Sequence, residues 1–424
     1  MNNNTQQINN LLFFIFLILI GSLKSDSIHS IKIIGNNHTK AKIILREIQH
    51  PVPGEIDSII METDRNRIYN LGIFSTVNIS AIDSIYTITV VETFRIIPFP
   101  MVDYDEGKGF SYGGGMTDLN FRGLNEKLTF GILFGEDQTW FLNFIDPWIR
   151  GNHVSLKLGL YDYHTDGMVY AYNYREKGGF VGTGFYKSAN HKFDLKLGAE
   201  SITLDTTDVK QYGRWILNDF FSNYQYFYAE FNYQLDTRDV YIDPTKGQHF
   251  VFNILPRFGL YKTKGYHQYK IKYARYIKLY STYGDPVFST KSELFIQNHQ
   301  EVPPFSFVYI GGEDYVRGYS PIPWQNPESI SVNIEGVHAL YQSFQIQHTL
   351  FPKKDFGGIE IGIDAVYFFD FGLAFKEINS FNFENGVTGL GFGFRFFTSG
   401  IGVIGIDFGF NPSGSYFVHP TSGN

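Results

Sequence analysis

The sequence predicts an all-β transmembrane β-barrel of about 16 antiparallel strands, preceded by one small α+β domain. Three observations support this prediction. Aromatic residues make up 18% of the 424 residues, and charged residues make up only 18%, whereas about 25% charged residues is usual in a soluble domain. From about Phe99 onward, apolar residues recur at every second position without a helical interruption. Before that point the periodicity is mixed, with two helical stretches between strands.

Composition narrows the class further. A mean hydropathy of −0.15 argues against a helical membrane protein. A membrane β-barrel needs an apolar residue only at alternate positions, and it gathers Tyr and Phe at the two interfaces. The net charge of −7 provides no basic excess for nucleic acid, so no nucleic-acid partner is expected. The absence of cysteine excludes disulfides and thiol chemistry.

The N-terminal segment, residues 1–27, is predicted to be a signal peptide. Its apolar run from Leu11 to Leu23 is shorter than the roughly 20 residues that span a bilayer, and it fits the core of an export signal. No Lys or Arg precedes the run, and no clear A-x-A cleavage site follows it. A retained anchor helix is the alternative interpretation.

Residues 28–94 are predicted to form the small domain in the order β-α-α-β-β, a sheet with two helices on one face. The first helix is expected from Lys40 to about Gln49 with Thr39 as its N-cap, and the second between Asp57 and Gly72. The second helix should bury a stripe of large aliphatic residues. These are Ile56, Ile59, Ile60, Ile68 and Leu71. The last two strands are expected at residues 76–81 and 86–91.

Residues 95–424 are predicted to form the barrel. Segments such as 128–132, 154–160 and 193–197 alternate apolar with polar or small residues, and clusters rich in Gly, Asn and Pro separate them. At about 20 residues for each strand and its connection, this length gives roughly 16 strands. A soluble β-sandwich also alternates, but it has fewer strands.

A cation and a carboxylate in this region are candidates for a contact. Arg317 belongs to Val316-Arg317-Gly318-Tyr319, within the longest loop, residues 302–329. In the strand 359–372 the odd positions are apolar, which places Asp370 on the lumen face. A guanidinium can bind a carboxylate through two parallel hydrogen bonds if the loop enters the lumen. The alternative is an exposed arginine and a solvated carboxylate that contribute little to each other.

The two segments together resemble a known pair of motifs. Val316-Arg317-Gly318-Tyr319 and Phe368-Phe369-Asp370-Phe371-Gly372 resemble the V-R-G-[FY] and F-x-D-x-G motifs of the outer-membrane assembly and secretion barrels. That family comprises the BamA, TamA, Sam-type and two-partner-secretion transporters, also called bacterial surface antigens. The resemblance implies that the loop folds into the lumen and that Arg317 pairs with Asp370. It also implies that Phe368 and Gly372 belong to the same lumen motif.

The N-terminal domain is similar to a single POTRA domain of the same family. The matching positions are Ile34-Gly35-Asn36, Thr39, Leu45-Arg46-Glu47, Gly54, Asp57, Asn70-Leu71-Gly72-Ile73-Phe74 and Val77. The resemblance implies an outer-membrane barrel with the POTRA domain in the periplasm. It implies as partners the lipid bilayer, unfolded outer-membrane or secreted client proteins, and possible periplasmic accessory proteins.

A loose seam between the first and last strands is also predicted. The first barrel strand is expected at residues 109–120, where Gly113, Gly114 and Gly115 would weaken strand pairing; a bend or close packing is the alternative. The family's C-terminal pattern, polar-x-Gly-x-x-aromatic-x-aromatic, is met at Gly405, Phe408 and Phe410 but not at Val403, and it fits residues 391–396 equally well. The segment 416–418 is a candidate for a degenerate last strand.

The predicted function is assembly or translocation of proteins at the outer membrane. The sequence contains no H-E-x-x-H or phosphate-loop motif, so neither catalysis nor a cofactor or metal is predicted. His338 and His348 are expected at an interface or in the lumen. The alternatives are a two-partner-type transporter for one dedicated partner, which the single POTRA-like unit leaves open, and a passive pore or surface scaffold. Alanine substitutions of Arg317 and Asp370 are expected to cause similar losses, and a charge swap to restore function in part.

Overall fold

The computed structural model describes residues 27–105, 109–135, 138–151, 153–165, 173–188, 190–205, 223–280, 286–298, 303–321, 326, 334–357, 359–398 and 402–422. The predicted signal peptide therefore lies almost wholly outside the described residues. Among the described residues, no helix is both long and apolar enough to cross a membrane.

The N-terminal unit, residues 27–92, combines a three-stranded sheet with two helices. Its elements are β1 (Ser27–Ile28), β2 (Ser30–Ile34), α1 (Ala41–Leu45), β3 (Gly54–Glu55), α2 (Ser58–Tyr69), β4 (Phe74–Ile82) and β5 (Ile85–Glu92). The sheet order is β2-β5-β4, with β2 parallel and β4 antiparallel to β5. The predicted order of two helices followed by two strands is present. The additional short strands β1 and β3 pair with each other.

The helix ends depart in part from the sequence-based expectations. Asp57 caps α2 as predicted, accepting hydrogen bonds from the backbone N–H groups of Ile59 and Ile60. The prediction that Thr39 caps α1 is wrong, because its hydroxyl accepts a hydrogen bond from Asn120 instead.

Helix α1 is also shorter than predicted. It ends at Leu45, because the backbone N–H groups of Gln49 and His50 turn toward the carboxylate of Asp64. The buried stripe of α2 is narrower than expected as well. Ile68 is fully buried, whereas Ile59 is 76% exposed.

The core of the unit packs the helices on one face of the sheet. Its fully buried side chains are Ile28, Ile43, Ile44, Ile68, Phe74, Tyr86 and Ile88. The buried carboxylate of Asp64 accepts hydrogen bonds from two backbone N–H groups and from the Tyr86 hydroxyl at 2.9 Å. Burial raises the pKa of Tyr86, and the neighbouring charge of Asp64 raises it further, so the phenol stays a hydrogen-bond donor.

Sixteen antiparallel strands form the barrel wall. They are β6 (Ile96–Asp105), β7 (Gly109–Phe121), β8 (Glu126–Phe134), β9 (Thr139–Arg150), β10 (Val154–Thr165), β11 (Asn173–Tyr186), β12 (His191–Asp205), β13 (Asn223–Asp236), β14 (Gly247–Gly259), β15 (Tyr266–Lys278), β16 (Val287–Gln297), β19 (His338–Asp355), β20 (Glu360–Phe375), β21 (Val387–Thr398), β22 (Gly402–Phe410) and β23 (Tyr416–Ser422). Two short strands, β17 (Val308–Tyr309) and β18 (Glu335–Gly336), pair within the loop between β16 and β19. The predicted strand number is confirmed.

The strands follow one another around the wall in chain order, with β6 and β23 at the two ends of the hydrogen-bonded series. Within the part of the chain that the structure describes, no ladder pairs β6 with β23. Strand β23 is the predicted degenerate last strand, so the residues Gly405, Phe408 and Phe410 lie in the penultimate strand β22 and not at the end of the sheet.

The first strand differs from the prediction. Residues 109–120 belong to the second strand, β7, and β6 precedes them. Pro98 and Pro100 lie inside β6. Proline removes a backbone donor, and it is tolerated there because an edge strand leaves one side without partners.

Two of the three consecutive glycines of β7, Gly113 and Gly115, allow close packing, which is the alternative to a loose seam. A Cβ atom on Gly115 would lie 2.2 Å from the ring of Phe99, and one on Gly113 would lie 2.0 Å from the carbonyl oxygen of Ile132. The same arrangement of a lumen glycine beneath an aromatic ring recurs around the wall. The further pairs are Gly131 with Phe141, Gly159 with Phe180, Gly178 with Tyr161 and Gly198 with Tyr228.

The two faces of the wall have opposite character. Outward positions are large and apolar, and many are about half exposed: Phe134, Leu160, Val181, Phe185, Phe344, Tyr367 and Phe369. Alternate positions face the lumen and carry charge, as in the ion pairs Lys157–Asp194, Lys196–Glu230 and Arg257–Glu200. An apolar exterior around a polar interior is the pattern of a transmembrane barrel.

The connections also differ between the two ends. Short connections follow β7, β9, β11 and β19, at the end that carries the N-terminal unit. Longer loops lie at the opposite end, which is called the loop end below. They include the connections that follow β14, β16 and β20.

Candidate functional site

The candidate site is the place where the longest loop enters the barrel. Its described part, residues 303–321, is called the latch loop below. A hydrophobic cluster holds it against the wall, with Ile310, Val316 and Tyr319 buried beside Tyr341 of β19 and Ala374 of β20. The backbone N–H of Val316 donates to the carbonyl of Ile310, which closes the loop on itself. The cluster places the side chain that follows Val316 in the lumen.

Arg317 contacts Asp370 in the geometry that its motif implies. Its Nε lies 2.8 Å from Oδ2 of Asp370, and its Nη2 lies 2.8 Å from Oδ1, so the two groups meet through parallel hydrogen bonds. The backbone N–H of Arg317 also donates to Asp370, at 3.2 Å. Both side chains are buried, with Arg317 2% and Asp370 0% exposed. The loop is therefore fixed to strand β20 by side chain and backbone together.

A second carboxylate completes the charge balance. Nη1 of Arg317 lies 2.9 Å from Oδ2 of Asp407 on β22. Asp407 in turn accepts two hydrogen bonds from Arg395 on β21, at 2.6 and 2.8 Å. Two guanidinium groups and two carboxylates thus alternate across three neighbouring strands and the loop. Because buried charges are costly unless paired, this neutral group of four should behave as a unit.

Neutral groups satisfy the remaining positions around Arg317. The hydroxyl of Ser343 donates to Asp370 at 2.7 Å and lies 3.3 Å from Nη2 of Arg317. The ring of Phe368 lies beneath the guanidinium, with its centroid 3.5 Å from Cζ, which adds a cation–π contact. Phe368 and Asp370 of the strand motif thus both contact Arg317.

Glycine makes room for the loop on the strand side. A Cβ atom on Gly389 of β21 would lie 1.8 Å from the carbonyl oxygen of Arg317, and one on Gly372 would lie 2.5 Å from a methyl group of Val316. Gly318 has a φ angle of +109°, a backbone conformation that residues other than glycine rarely adopt. Its backbone carbonyl accepts a hydrogen bond from Asn411 at 2.8 Å.

The structure brings together the loop motif Val316 to Tyr319 and the strand motif of Phe368, Asp370 and Gly372. It does not bring the glycines of β7 to this site. Sequence reasoning missed several partners: Tyr341, Ser343, Gly389, Arg395, Asp407, Asn411 and His419. For Asp407 a signal existed, because it lies opposite the apolar face of its strand.

A cavity of about 410 Å³ adjoins the site inside the barrel. Its lining includes Glu313, Asp314 and Arg317 of the latch loop and Lys291 and Glu293 of β16. The lining carries charges of both signs. Among the described residues, no cluster of three or more His, Asp or Glu side chains could hold a metal ion.

Comparisons with known proteins agree on the fold. A family model of the Omp85 superfamily domain matches residues 120–416. The chain is similar to the crystal structure of BamA from Haemophilus ducreyi lacking POTRA domains 1–3, with a TM-score of 0.55, 18% identity, and coverage of 93% of this chain and 83% of that one. No curated protein sequence matches the chain.

Two further solved structures are similar to it. For CdiB from Acinetobacter baumannii the TM-score is 0.49 and the identity 12%, over 92% of this chain and 72% of that one. For CdiB from Escherichia coli the TM-score is 0.47 and the identity 10%, over 94% of this chain and 89% of that one.

Proposed function

The chain belongs to the Omp85 superfamily of outer-membrane β-barrels that assemble or export proteins, and we propose that it is an assembly factor for other outer-membrane proteins. In this proposal the N-terminal unit receives an extended client strand. The client then passes to the seam between β6 and β23 and pairs there before it leaves into the membrane. The latch loop keeps the lumen closed while this happens.

The observation that carries the proposal is that the barrel sheet has two edge strands with no ladder between them in the described residues. Strands β6 and β23 end the hydrogen-bonded series, and no described ladder joins them. Unpaired N–H and C=O groups are costly within lipid, so such ends favour pairing with an incoming strand. Only residues 93–95 separate β6 from the last strand of the N-terminal unit.

The N-terminal unit supports the first step. We assign residues 28–94 to a POTRA domain placed in the periplasm, and residues 95–424 to the barrel. Strand β2 lies at one edge of the three-stranded sheet, and the opposite edge strand, β4, contacts the barrel, where Thr76 donates to Asp355 at 3.2 Å. The β2 edge is therefore the candidate for capture of a client by strand addition.

A specific observation favours a second function, secretion of a dedicated partner through the lumen. The lumen wall is polar, with ion pairs such as Lys157–Asp194 and Arg257–Glu200 at 2.6 Å. A hydrated wall of this kind suits an extended hydrophilic chain. The buried latch loop argues against this second function and against a permanently open pore, because the loop would have to leave the lumen first.

Depletion of the protein separates these functions. For an assembly factor, we expect the folded amounts of many other outer-membrane barrels to fall together, with unfolded forms collecting in the periplasm. The measurement is quantitative proteomics of outer-membrane fractions during depletion, with cytoplasmic-membrane proteins as the control. Normal levels of all other barrels would contradict the proposal, and the loss of a single secreted protein would favour the second function.

A further inference from the structure

The turn between β13 and β14 is longer than the other described turns at its end of the barrel, and it points inward. It comprises residues 237–246 and is called the inner turn below. Asp243 at its tip accepts hydrogen bonds from Gln347 at 2.9 Å and from Lys353 at 2.7 Å, both on strand β19. Gln347 faces the lumen, since it pairs with the buried Val366 of β20. The inner turn therefore reaches from β13 and β14, past β15 and β16, to the lumen side of β19.

The inner turn borders the same cavity as the latch loop. Ile242, Asp243 and Pro244 line the 410 Å³ cavity at one end, and Glu313, Asp314 and Arg317 line it at the other. The latch loop and the inner turn thus both border this cavity within the lumen.

The inner turn has a defined conformation of its own. Asp239 accepts hydrogen bonds from the backbone N–H and the hydroxyl of Thr245, at 3.0 and 2.6 Å. Arg238 binds Asp236 through two hydrogen bonds and donates a third to the carbonyl of Tyr241, at 3.1 Å. A turn fixed in this way should move as one body rather than unravel.

Asn70 of the N-terminal unit binds the backbone of the inner turn. The side-chain amide of Asn70 donates to the carbonyl of Asp239 at 3.1 Å and accepts from the backbone N–H of Tyr241 at 2.9 Å. The hydroxyl of the adjacent Tyr69 donates to Glu360 of β20 at 2.5 Å. Burial raises the pKa of Tyr69, and the hydrogen bond to Glu360 raises it further, so the hydroxyl keeps its proton.

The N-terminal unit also contacts the barrel far from the inner turn, at the β7–β8 and β9–β10 turns. The backbone N–H of Lys40 donates to the carbonyl of Gly123 in the β7–β8 turn, at 2.9 Å. The guanidinium of Arg46 lies 4.5 Å from the ring centre of Trp148, near the β9–β10 turn. The unit therefore contacts widely separated parts of the rim, and a change in its position would act on the inner turn.

We propose that Asn70 couples the N-terminal unit to a second closure of the lumen, formed by the inner turn. While Asn70 binds the backbone at Asp239 and Tyr241, the inner turn stays against β19 and the lumen is shut at this end. When the unit shifts, for example on binding a client, the inner turn is released. The proposal does not depend on which client the barrel handles, so it can fail or hold independently of the proposed function.

Access to a single lumen cysteine tests the coupling. The chain has no native cysteine, and Ser289 of β16 is buried and lines the cavity. In the Ser289→Cys background, the labelling rate by a charged maleimide is measured on the purified full-length protein in detergent. Loss of both Asn70 hydrogen bonds in Asn70→Ala should speed labelling by about tenfold or more. Arg317→Ala, which frees the latch loop, serves as the positive control for entry from the other end.

Asn66→Ala is the matched control, because Asn66 lies on α2 one turn before the C-cap residue Asn70 and makes no described hydrogen bond to the inner turn. Its labelling rate should equal that of the parent. A second measurement uses Asp243→Cys with Gln347→Cys, whose oxidative cross-linking should be efficient in the parent and reduced by Asn70→Ala. Equal labelling and equal cross-linking in Asn70→Ala and Asn66→Ala, with heat-modifiable gel mobility showing folded barrels, would overturn the proposal.

Discussion

Replacing Arg317 by alanine is expected to destabilise the folded barrel by about 3–5 kcal/mol, because it leaves the buried Asp370 without its charged partner and removes one of the two guanidinium groups that bind Asp407. Asp370 and Asp407 are both 0% exposed and both bind Arg317. The released latch loop should become accessible to protease. The measurements are urea unfolding in lipid vesicles, followed by heat-dependent gel mobility, and limited proteolysis of residues 303–321.

The geometry changes the expectation for the carboxylates. Similar losses for Arg317→Ala and Asp370→Ala follow from an isolated pair, but the structure shows a group of four charges. Asp370→Ala should cost less than Arg317→Ala, since Arg317 keeps Asp407. The double change Arg317→Asp with Asp370→Arg should restore little, because the new aspartate would face Asp407.

Arg317→Lys is the matched control, since it keeps the positive charge but loses the two parallel hydrogen bonds. It should lie between the wild type and Arg317→Ala in stability. If Arg317→Ala unfolds at the same urea concentration as the wild type and its latch loop resists protease equally well, Arg317 does not hold the latch loop in the lumen.

Gly389→Ala is expected to have the second-largest effect, although it adds only one methyl group. The new Cβ would lie 1.8 Å from the carbonyl oxygen of Arg317, which is a backbone atom and cannot rotate away. The latch loop must therefore move away from β21, which loosens the contacts of Arg317. The cost should reach or exceed the upper part of the roughly 1–3 kcal/mol range for overpacking. The same unfolding and proteolysis measurements apply.

Gly114→Ala provides the matched control for this substitution. Gly114 also lies within a barrel strand, but an added Cβ would approach Phe99 O at 3.3 Å and no other atom within 4 Å. Its stability and protease resistance should stay close to those of the wild type. Equal behaviour of Gly389→Ala and Gly114→Ala would show that the close approach of the loop to β21 is unimportant.

Much of the fold could be predicted from the sequence, because a two-residue period and its apolar face are local properties. The lumen position of Asp370 follows from the alternation along β20, and the cap at Asp57 follows from neighbouring residues. Strand β6 was missed because Pro98 and Pro100 indicate a break in a central strand and are tolerated only at an edge. Being at an edge is a property of the whole sheet, which no local pattern reveals.

The partners of the candidate site were harder to predict for a similar reason. Asp407 pairs with both Arg317 and Arg395 only because β20, β21 and β22 are neighbours in register. Thr39 was predicted to cap a helix from its position in the local sequence. Its hydroxyl binds Asn120 instead, and this distant partner cannot be recognised from local sequence. Contacts between distant segments were predicted only where the family resemblance supplied them.

The central claim is that client strands pair at the seam, and photo-crosslinking in cells tests it most directly. A photoreactive amino acid is placed at Ile96 of β6, at Val418 of β23, and at Leu195 of β12 as the control. All three side chains face outward and are similarly exposed, at 42%, 47% and 43%. We predict adducts with other outer-membrane barrel proteins at positions 96 and 418 but not at 195. Equal capture at all three positions, or no capture at 96 and 418, would contradict the claim.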